Sequence, residues 1–256
     1  MIWIRNGDAV VHARVEGEGP TVAFANSLGT DLRLWDGVLD RVPCRSIRFD
    51  MRGHGLTPDR PGSVAEVASD LAAILDAHAP EGAVVVGVSV GGLVAQALWA
   101  ARPDLVRGLV LSNTGIRIGT RDVWAERVAA VERGGVASIS DAIMARWFTP
   151  AWQAANAQAL AGWRCMVERG SDRGYAALGR AIAEADLEAA ARSVAVPTLC
   201  IGGSGDGATP PDVVAALARA VPGARLEIID GAGHLPMIDA PDRFAALLGD
   251  FLRSVG

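Results

Sequence analysis

The 256-residue chain contains no lysine, so arginine supplies all 24 of its basic side chains. Acidic residues number 29, the net charge is −5, and no long cluster of arginines occurs. A nucleic-acid-binding domain usually carries a surplus of positive charge on one face. The charge balance therefore argues against nucleic acid as a partner.

Cysteine is scarce as well. Cys44, Cys165 and Cys200 are far apart and odd in number, with no paired spacing that suits zinc or a set of disulfides. The N-terminus reaches Arg5 before an apolar stretch long enough for an export signal develops. We therefore expect a cytoplasmic protein with reduced thiols.

One charge-free run, residues 83–101, approaches the length of a membrane span. Its middle contains Gly87, Ser89, Gly91 and Gly92, which separate a β-branched half from a helix-forming half. This pattern predicts a buried strand that turns into a helix, and it argues against a membrane as a partner.

Short segments rich in Val, Ile and Leu predict eight strands, at residues 2–4, 10–15, 22–25, 46–49, 83–88, 109–112, 198–201 and 226–229. Helical patterns occur at residues 64–77, 93–101, 213–220 and 243–252. This alternation predicts an α/β fold with a mostly parallel sheet covered by helices on both faces. No helical pattern separates the first two strands, so we expect an antiparallel pair at one edge.

The alternation stops between residues 113 and 197, where only helical patterns occur and four of the seven tryptophans lie. We interpret residues 116–194 as an inserted helical lid, and residues 1–115 and 195–256 as the core domain. The tryptophans either form an apolar face toward the sheet or pack the lid helices together.

Residues 87–91 fit the pattern Gly-x-Ser-x-Gly around Ser89. With 12 serines and 30 glycines, the pattern arises by chance in roughly one such chain in six. Its position is more specific, because it lies directly between a predicted strand and a predicted helix, where a sharp turn exposes a nucleophile. Small residues at Gly87, Gly91 and Gly92 allow the strand and helix to approach closely.

A serine nucleophile needs a base, and a histidine is the natural candidate. His234 follows the last predicted strand, where its side chain can reach the serine. We expect His12, inside a strand, and His78, near a helix end, to lie away from the carboxyl edge of the sheet. His54 is interpreted as a structural residue of a glycine-rich turn.

The histidine requires a carboxylate that holds its tautomer, and the order along the chain should be Ser, acid, His. Asp206 follows the predicted strand at 198–201. The equivalent position after the preceding strand is Asn113, whose amide lacks the negative charge, and we expect Asp230 to be too cramped. A loop aspartate that only caps a turn remains the alternative for Asp206.

A tetrahedral intermediate needs hydrogen-bond donors for its oxyanion. The predicted donors are the backbone N–H groups of Val90, directly after the nucleophile, and of Leu28, in the loop after the third strand. Ser27 and Gly29 are small enough to let that loop bend toward the serine.

With these motifs in this order, the chain resembles the α/β-hydrolase superfamily over essentially its full length. Within it, several segments are similar to the 3-oxoadipate enol-lactonases: NSLGTD at 26–31, RGHG at 52–55, RWFTP at 146–150 and GYAA at 174–177. The resemblance implies hydrolysis of a small carboxylated enol lactone in aromatic catabolism, with no metal and no organic cofactor. Arg146 and Trp147 of the lid are then the candidate substrate-binding residues.

Alternatives remain open. HLPM at 234–237 is more similar to general esterases and carbon–carbon hydrolases, so a carboxylesterase or a hydrolase of a ring-cleavage product with the same triad is the second reading. A non-catalytic ligand receptor on the same fold is a more remote one, and Ser89 in place of an aspartate disfavours a dehalogenase. The sequence leaves open whether the chain forms a homo-oligomer.

Overall fold

A computed structural model describes residues 1–255 and contains one eight-stranded sheet. All eight predicted strands are confirmed. Their bounds are β1 Ile2–Asn6, β2 Ala9–Glu16, β3 Thr21–Ala25, β4 Arg45–Phe49, β5 Ala83–Val88, β6 Val106–Ser112, β7 Thr198–Gly203 and β8 Arg225–Ile229.

The strands lie in the order β1-β2-β4-β3-β5-β6-β7-β8. β2 runs antiparallel to both β1 and β4, and the remaining neighbours are parallel. The predicted antiparallel pair at one edge is therefore confirmed. All six residues of β5 are buried, as expected for a strand at the centre of a sheet covered on both faces.

The described residues form twelve α-helices. Their bounds are α1 Asp36–Leu39, α2 Val64–His78, α3 Val90–Ala101, α4 Arg121–Gly134, α5 Ser140–Trp147, α6 Pro150–Ala155, α7 Ala157–Glu168, α8 Asp172–Glu184, α9 Glu188–Ser193, α10 Pro211–Ala220, α11 Pro236–Asp239 and α12 Pro241–Val255. None of the helices in residues 1–255 is both long enough and apolar enough to span a membrane.

Two helical layers cover the sheet. α2 packs on α3 and α3 on α9, while α12 packs with α1 and α11 and contacts β6. α2 begins with a capping box, in which Ser63 and Glu66 exchange side-chain to backbone hydrogen bonds. The four helices predicted from periodicity are all present, each with one to three additional residues at one or both ends.

The helices α4 to α9 lie between β6 and β7, so an all-helical insertion occurs where the strand–helix alternation stops. α4 packs against α8 and α5 against α7. The division into a core and a lid with boundaries at 116 and 194 stays a prediction. This insertion is called the lid below.

Candidate active site

Ser89 occupies the turn between β5 and α3, with φ 57° and ψ −123°. It is one of two non-glycine residues with positive φ in the described chain. A bulky or β-branched residue would be strained in this conformation. Because the helix begins at Val90, three residues before the predicted start, the backbone turns at Ser89 itself and holds the hydroxyl at the carboxyl edge of the sheet.

The three glycines around Ser89 are required by close backbone approaches. A methyl group on Gly91 would lie 2.1 Å from the carbonyl oxygen of Ala25, and one on Gly87 would lie 2.2 Å from the carbonyl oxygen of Gly91. At Gly92 it would meet the Thr114 side chain at 2.4 Å. These close approaches confirm the prediction that small residues at the three positions let the strand and the helix come together.

The structure brings Asp206 and His234 into direct contact. Nδ1 of His234 lies 2.9 Å from Oδ2 and 3.1 Å from Oδ1 of Asp206. A carboxylate can only accept here, so Nδ1 carries the proton and Nε2 is left as the basic nitrogen. Both side chains are buried, and burial strengthens such a pair because water does not compete for it.

Asp206 is held as an anion by several donors. The N–H groups of Ala208 and Thr209 donate to Oδ1 at 2.7 and 3.0 Å, and the Thr209 hydroxyl donates to Oδ2 at 2.6 Å. Burial alone would raise the pKa of Asp206, but the charge and hydrogen bond of His234, with bonds from Thr209 and Asn113, outweigh it and lower the pKa. The carboxylate therefore stays ionised near neutral pH.

Asn113 joins Asp206 to the loop that carries His234. Its Nδ2 donates to Oδ2 of Asp206 at 2.8 Å and to the carbonyl oxygen of Gly233 at 3.1 Å. The sequence analysis rejected Asn113 as a rival of Asp206 and assigned it no role in the site. Its place after a central strand was the signal that it faces the site.

The lid also touches the histidine loop. The His234 N–H donates to the carbonyl oxygen of Trp147 at 2.8 Å, and α5 ends at that residue. The contact uses a backbone carbonyl, so no residue type in the sequence could have indicated it. The Trp147 side chain is buried.

Asp239 supports the same loop from the other side. Its Oδ2 accepts a hydrogen bond of 2.6 Å from the N–H of Gly233. Burial raises the pKa of Asp239 to about 6, against the opposing effect of that hydrogen bond. Asp230, by contrast, is exposed and accepts a hydrogen bond from the Ser204 hydroxyl, so it is not crowded.

The predicted oxyanion donors lie in well-supported backbone. Among residues 1–255, neither the Leu28 nor the Val90 N–H donates to a protein acceptor. Asn26 fixes the start of the Leu28 loop: its Nδ2 donates to the carbonyl oxygen of Phe49 at 2.7 Å, and its Oδ1 accepts from Trp35 Nε1 at 2.8 Å. Two free N–H groups therefore remain available for a ligand oxygen.

His54 fixes the other side of the same loop. Its Nε2 accepts the Gly29 N–H at 3.0 Å, and its Nδ1 lies 3.0 Å from the carbonyl oxygen of Arg52. Nδ1 therefore donates and the ring is neutral; burial accordingly lowers the pKa of His54. His54 is a structural residue, as expected, and it fixes Gly29, the neighbour of the predicted oxyanion donor Leu28.

The expectation for His12 was wrong. β2 runs antiparallel to β4 and continues past its end, so His12, in the middle of β2, lies beside Asp50, which directly follows β4. Nδ1 of His12 and Oδ2 of Asp50 are 2.7 Å apart. His12 therefore reaches the carboxyl edge of the sheet, where it is buried against Asp50.

Arg146 is exposed on the last turn of α5. A backbone approach places it near the site, since a methyl group on Gly207 would lie 3.4 Å from its Cα. No ion pair involves Arg146 in the part of the chain described by the structure. Its guanidinium is thus free, and its predicted contact with a substrate stays a prediction.

The fold and the arrangement of these side chains indicate the class of protein to which the chain belongs. A model of the alpha/beta hydrolase family matches residues 10–247, and the chain belongs to this family. The fold predicted from the sequence is therefore confirmed.

Three individual proteins of known name are similar to this chain over most of its length. The chain is 30% identical over its whole length to 3-oxoadipate enol-lactonase 1 of Acinetobacter baylyi, of which it covers 97%. The crystal structure of the enol-lactonase from Burkholderia xenovorans LB400 superposes with a TM-score of 0.93 and 32% identity, over 98% of this chain and all of that one. Pimeloyl-[acyl-carrier protein] methyl ester esterase of Neisseria meningitidis is 30% identical over 90% of this chain and 92% of its own length. The predicted resemblance to enol-lactonases is confirmed.

Proposed function

We propose that the chain is a serine hydrolase that opens a small carboxylated enol lactone, converting 3-oxoadipate enol-lactone to 3-oxoadipate in the breakdown of aromatic compounds. The observations that support this most directly are the buried, hydrogen-bonded pair of Asp206 and His234 and the sharp turn at Ser89. The substrate class comes from the two enol-lactonases, which are similar over nearly the whole chain.

The first half-reaction forms an acyl-enzyme. Ser89 Oγ attacks the ring carbonyl carbon while Nε2 of His234 takes the hydroxyl proton. The Leu28 and Val90 N–H groups stabilise the oxyanion of the tetrahedral intermediate. Its collapse breaks the ring carbon–oxygen bond, and the departing enolate stays tethered in the acyl chain and takes the proton from His234.

The second half-reaction releases the product. The enol tautomerises to the ketone, and a water attacks the acyl-enzyme while His234 removes its proton. The serine then leaves with that proton restored, giving the free carboxylate. An enolate is a better leaving group than an alkoxide, so ring opening demands less help from a general acid.

A carboxylesterase is the second candidate function. The methyl ester esterase relative favours it, because its identity to this chain equals that of the enol-lactonase relative. The same Ser89, Asp206 and His234 would carry the reaction, and only the lid and the pocket walls would differ.

The deciding experiment follows the loss of enol-lactone ultraviolet absorbance with purified protein, beside hydrolysis of nitrophenyl acetate. Ser89→Ala is the inactive variant, and Ser254→Ala, on the exposed side of α12, is its matched control. We expect fast lactone turnover that Ser89→Ala abolishes and Ser254→Ala retains.

Good ester turnover with an unchanged lactone would reject the lactonase and favour the esterase. A single burst of nitrophenolate without steady turnover would favour a ligand receptor. Lactone turnover that persists in Ser89→Ala would refute the nucleophile.

The substrate carboxylate requires a cation in the pocket. Arg146 is the residue predicted from the sequence, with Trp147 beside it as an apolar wall. An arginine free of any ion pair in the described chain can bind a carboxylate through two parallel N–H donors. Unchanged kcat/KM for an anionic lactone in Arg146→Ala would remove this assignment.

A further inference from the structure

Arg127 is a half-buried arginine of α4 held over two aromatic rings. Its Cζ lies 5.1 Å from the centroid of Trp124 and 5.5 Å from that of Tyr175. Stacking on two rings restrains a guanidinium while leaving its N–H groups free to donate.

Arg127 lacks the carboxylate partner that several other lid arginines have. Within the residues described, no carboxylate oxygen lies within 4.0 Å of Arg127, whereas four other arginines of the lid helices are paired, namely Arg121 with Glu184, Arg164 with Asp141, Arg180 with Glu132 and Arg192 with Glu188. A partly buried cation without a counter-ion carries an electrostatic cost that an anionic ligand would relieve.

Tyr175 supplies an independent observation. Its side chain is 3% exposed, and its hydroxyl proton has no hydrogen-bond acceptor among the described residues. Burial raises the pKa of Tyr175, against the opposing charge and hydrogen bond of Arg127 and the charge of Arg146. The phenol therefore remains a hydrogen-bond donor at neutral pH, and a buried donor left without an acceptor costs free energy.

Tyr175 also connects Arg127 to the reacting centre. A methyl group on Gly29 would lie 3.2 Å from Cε2 of Tyr175, and this carbon is bonded to the one that carries the hydroxyl. Gly29 directly follows Leu28, the predicted oxyanion donor. The hydroxyl without an acceptor thus lies next to the oxyanion loop, and the Arg127 guanidinium lies over the same ring.

We propose that Arg127 and the Tyr175 hydroxyl form a carboxylate subsite that binds the anionic arm of the substrate while its carbonyl oxygen occupies the oxyanion site. The arginine donates to the carboxylate oxygens, and the phenol donates to one of them. That the bound carboxylate belongs to the enol lactone rests on the proposed function. That this subsite binds a small carboxylate does not depend on that function.

The test compares Arg127→Gln and Tyr175→Phe with Arg133→Gln, an exposed arginine of the same helix without an ion pair in the described chain. For the anionic enol lactone, Arg127→Gln should raise KM about 10- to 100-fold, since a hydrogen bond to a charged group contributes that much. Tyr175→Phe, which keeps the ring and removes one bond to the same charged carboxylate, should raise it about 10-fold. Nitrophenyl acetate, which has no carboxylate, should show a much smaller change.

A second readout separates failure of the subsite from failure of the proposed function. Levulinate, a small keto acid, should inhibit nitrophenyl acetate hydrolysis competitively, and its inhibition constant should rise at least about 10-fold in Arg127→Gln. The uncharged pentan-2-one serves as the matched probe, and its inhibition should be the same in both proteins.

The outcomes are distinct. If the wild-type protein leaves the lactone unchanged but levulinate inhibition depends on Arg127, the lactonase is rejected and the subsite stands. If Arg127→Gln keeps the wild-type KM and inhibition constant, with thermal unfolding showing a folded protein, the subsite is wrong. A loss that appears only in Arg146→Gln would overturn it in favour of Arg146.

Discussion

Removal of the Asn113 side chain should both destabilise the protein and slow catalysis. Its Nδ2 donates to the charged Asp206 and to the Gly233 carbonyl, and its Oδ1 accepts the Ser112 hydroxyl at 2.8 Å. A hydrogen bond to a charged group contributes about 1.5–3 kcal/mol and a neutral one about 0.5–1.5 kcal/mol. We therefore expect Asn113→Gly to lower the free energy of unfolding by about 3–5 kcal/mol.

The backbone adds a separate contribution. Asn113 has φ 46°, a conformation that asparagine and glycine adopt more readily than alanine. Asn113→Ala should therefore be less stable than Asn113→Gly by about 1 kcal/mol. In both variants kcat should fall about 10-fold, because Asp206 and the His234 loop lose their shared donor, an effect equal to about 1.4 kcal/mol.

Urea unfolding followed by tryptophan fluorescence measures the stability, and nitrophenyl acetate turnover measures kcat. Asn156→Ala is the matched control, since its half-buried amide makes one hydrogen bond, to Trp152, and should cost no more than about 1 kcal/mol. If Asn113→Gly lost less than the control and kept its kcat, Asn113 would not hold the site together.

Three further outcomes are expected. Gly91→Ala should lower the free energy of unfolding by at least about 3 kcal/mol and abolish most activity, because its methyl group meets a carbonyl oxygen of β3. Gly162→Ala is the control: it has open space around it in α7 and should raise the free energy of unfolding by about 0.5–1 kcal/mol. Equal urea midpoints for the two variants would refute this expectation. Burial lowers the pKa of His54 in the folded protein, so on acidification this histidine takes up its proton at a higher pH in the unfolded chain. The free energy of unfolding should therefore fall as the pH drops below about 6.5. In His54→Asn, urea unfolding should show a shallower fall. Burial raises the pKa of Cys200 to about 12, so this thiol should not react with a thiol reagent at pH 8 in the native protein. The half-buried Cys165 should be labelled instead. Rapid labelling of Cys200 would contradict its burial.

The elements of the fold could be predicted because each depends on neighbouring residues. The run Ala83–Val88 has no polar side chain, so it forms a strand only where both faces are covered, and it lies at the centre of the sheet. The glycines around Ser89 were equally readable, since a turn that tight requires small side chains whatever surrounds it. The chain order of Ser89, Asp206 and His234 allowed the contact between the last two to be predicted, and the structure contains it.

Other features depend on which segments meet. The antiparallel direction of β2 brings His12 to the edge of the sheet that sequence reasoning excluded for it. Asn113 and Asp206 are 93 residues apart, and their contact requires that β6 and β7 be neighbours. No local pattern encodes strand order, because it is set by the packing of the whole sheet.

The sequence by itself determined the strand–helix alternation, the helical insertion and the glycine-bounded serine turn, since these arise from residues near one another in the chain. Only the tertiary structure decided how the site is supported: the Trp147 carbonyl that accepts from His234, and the His54 ring that holds Gly29. It also decided that, among residues 1–255, Arg127 has no counter-ion and the neighbouring Tyr175 hydroxyl has no acceptor for its proton. Backbone groups carry no residue signature, and the lack of a partner can be seen only when every neighbour is in place.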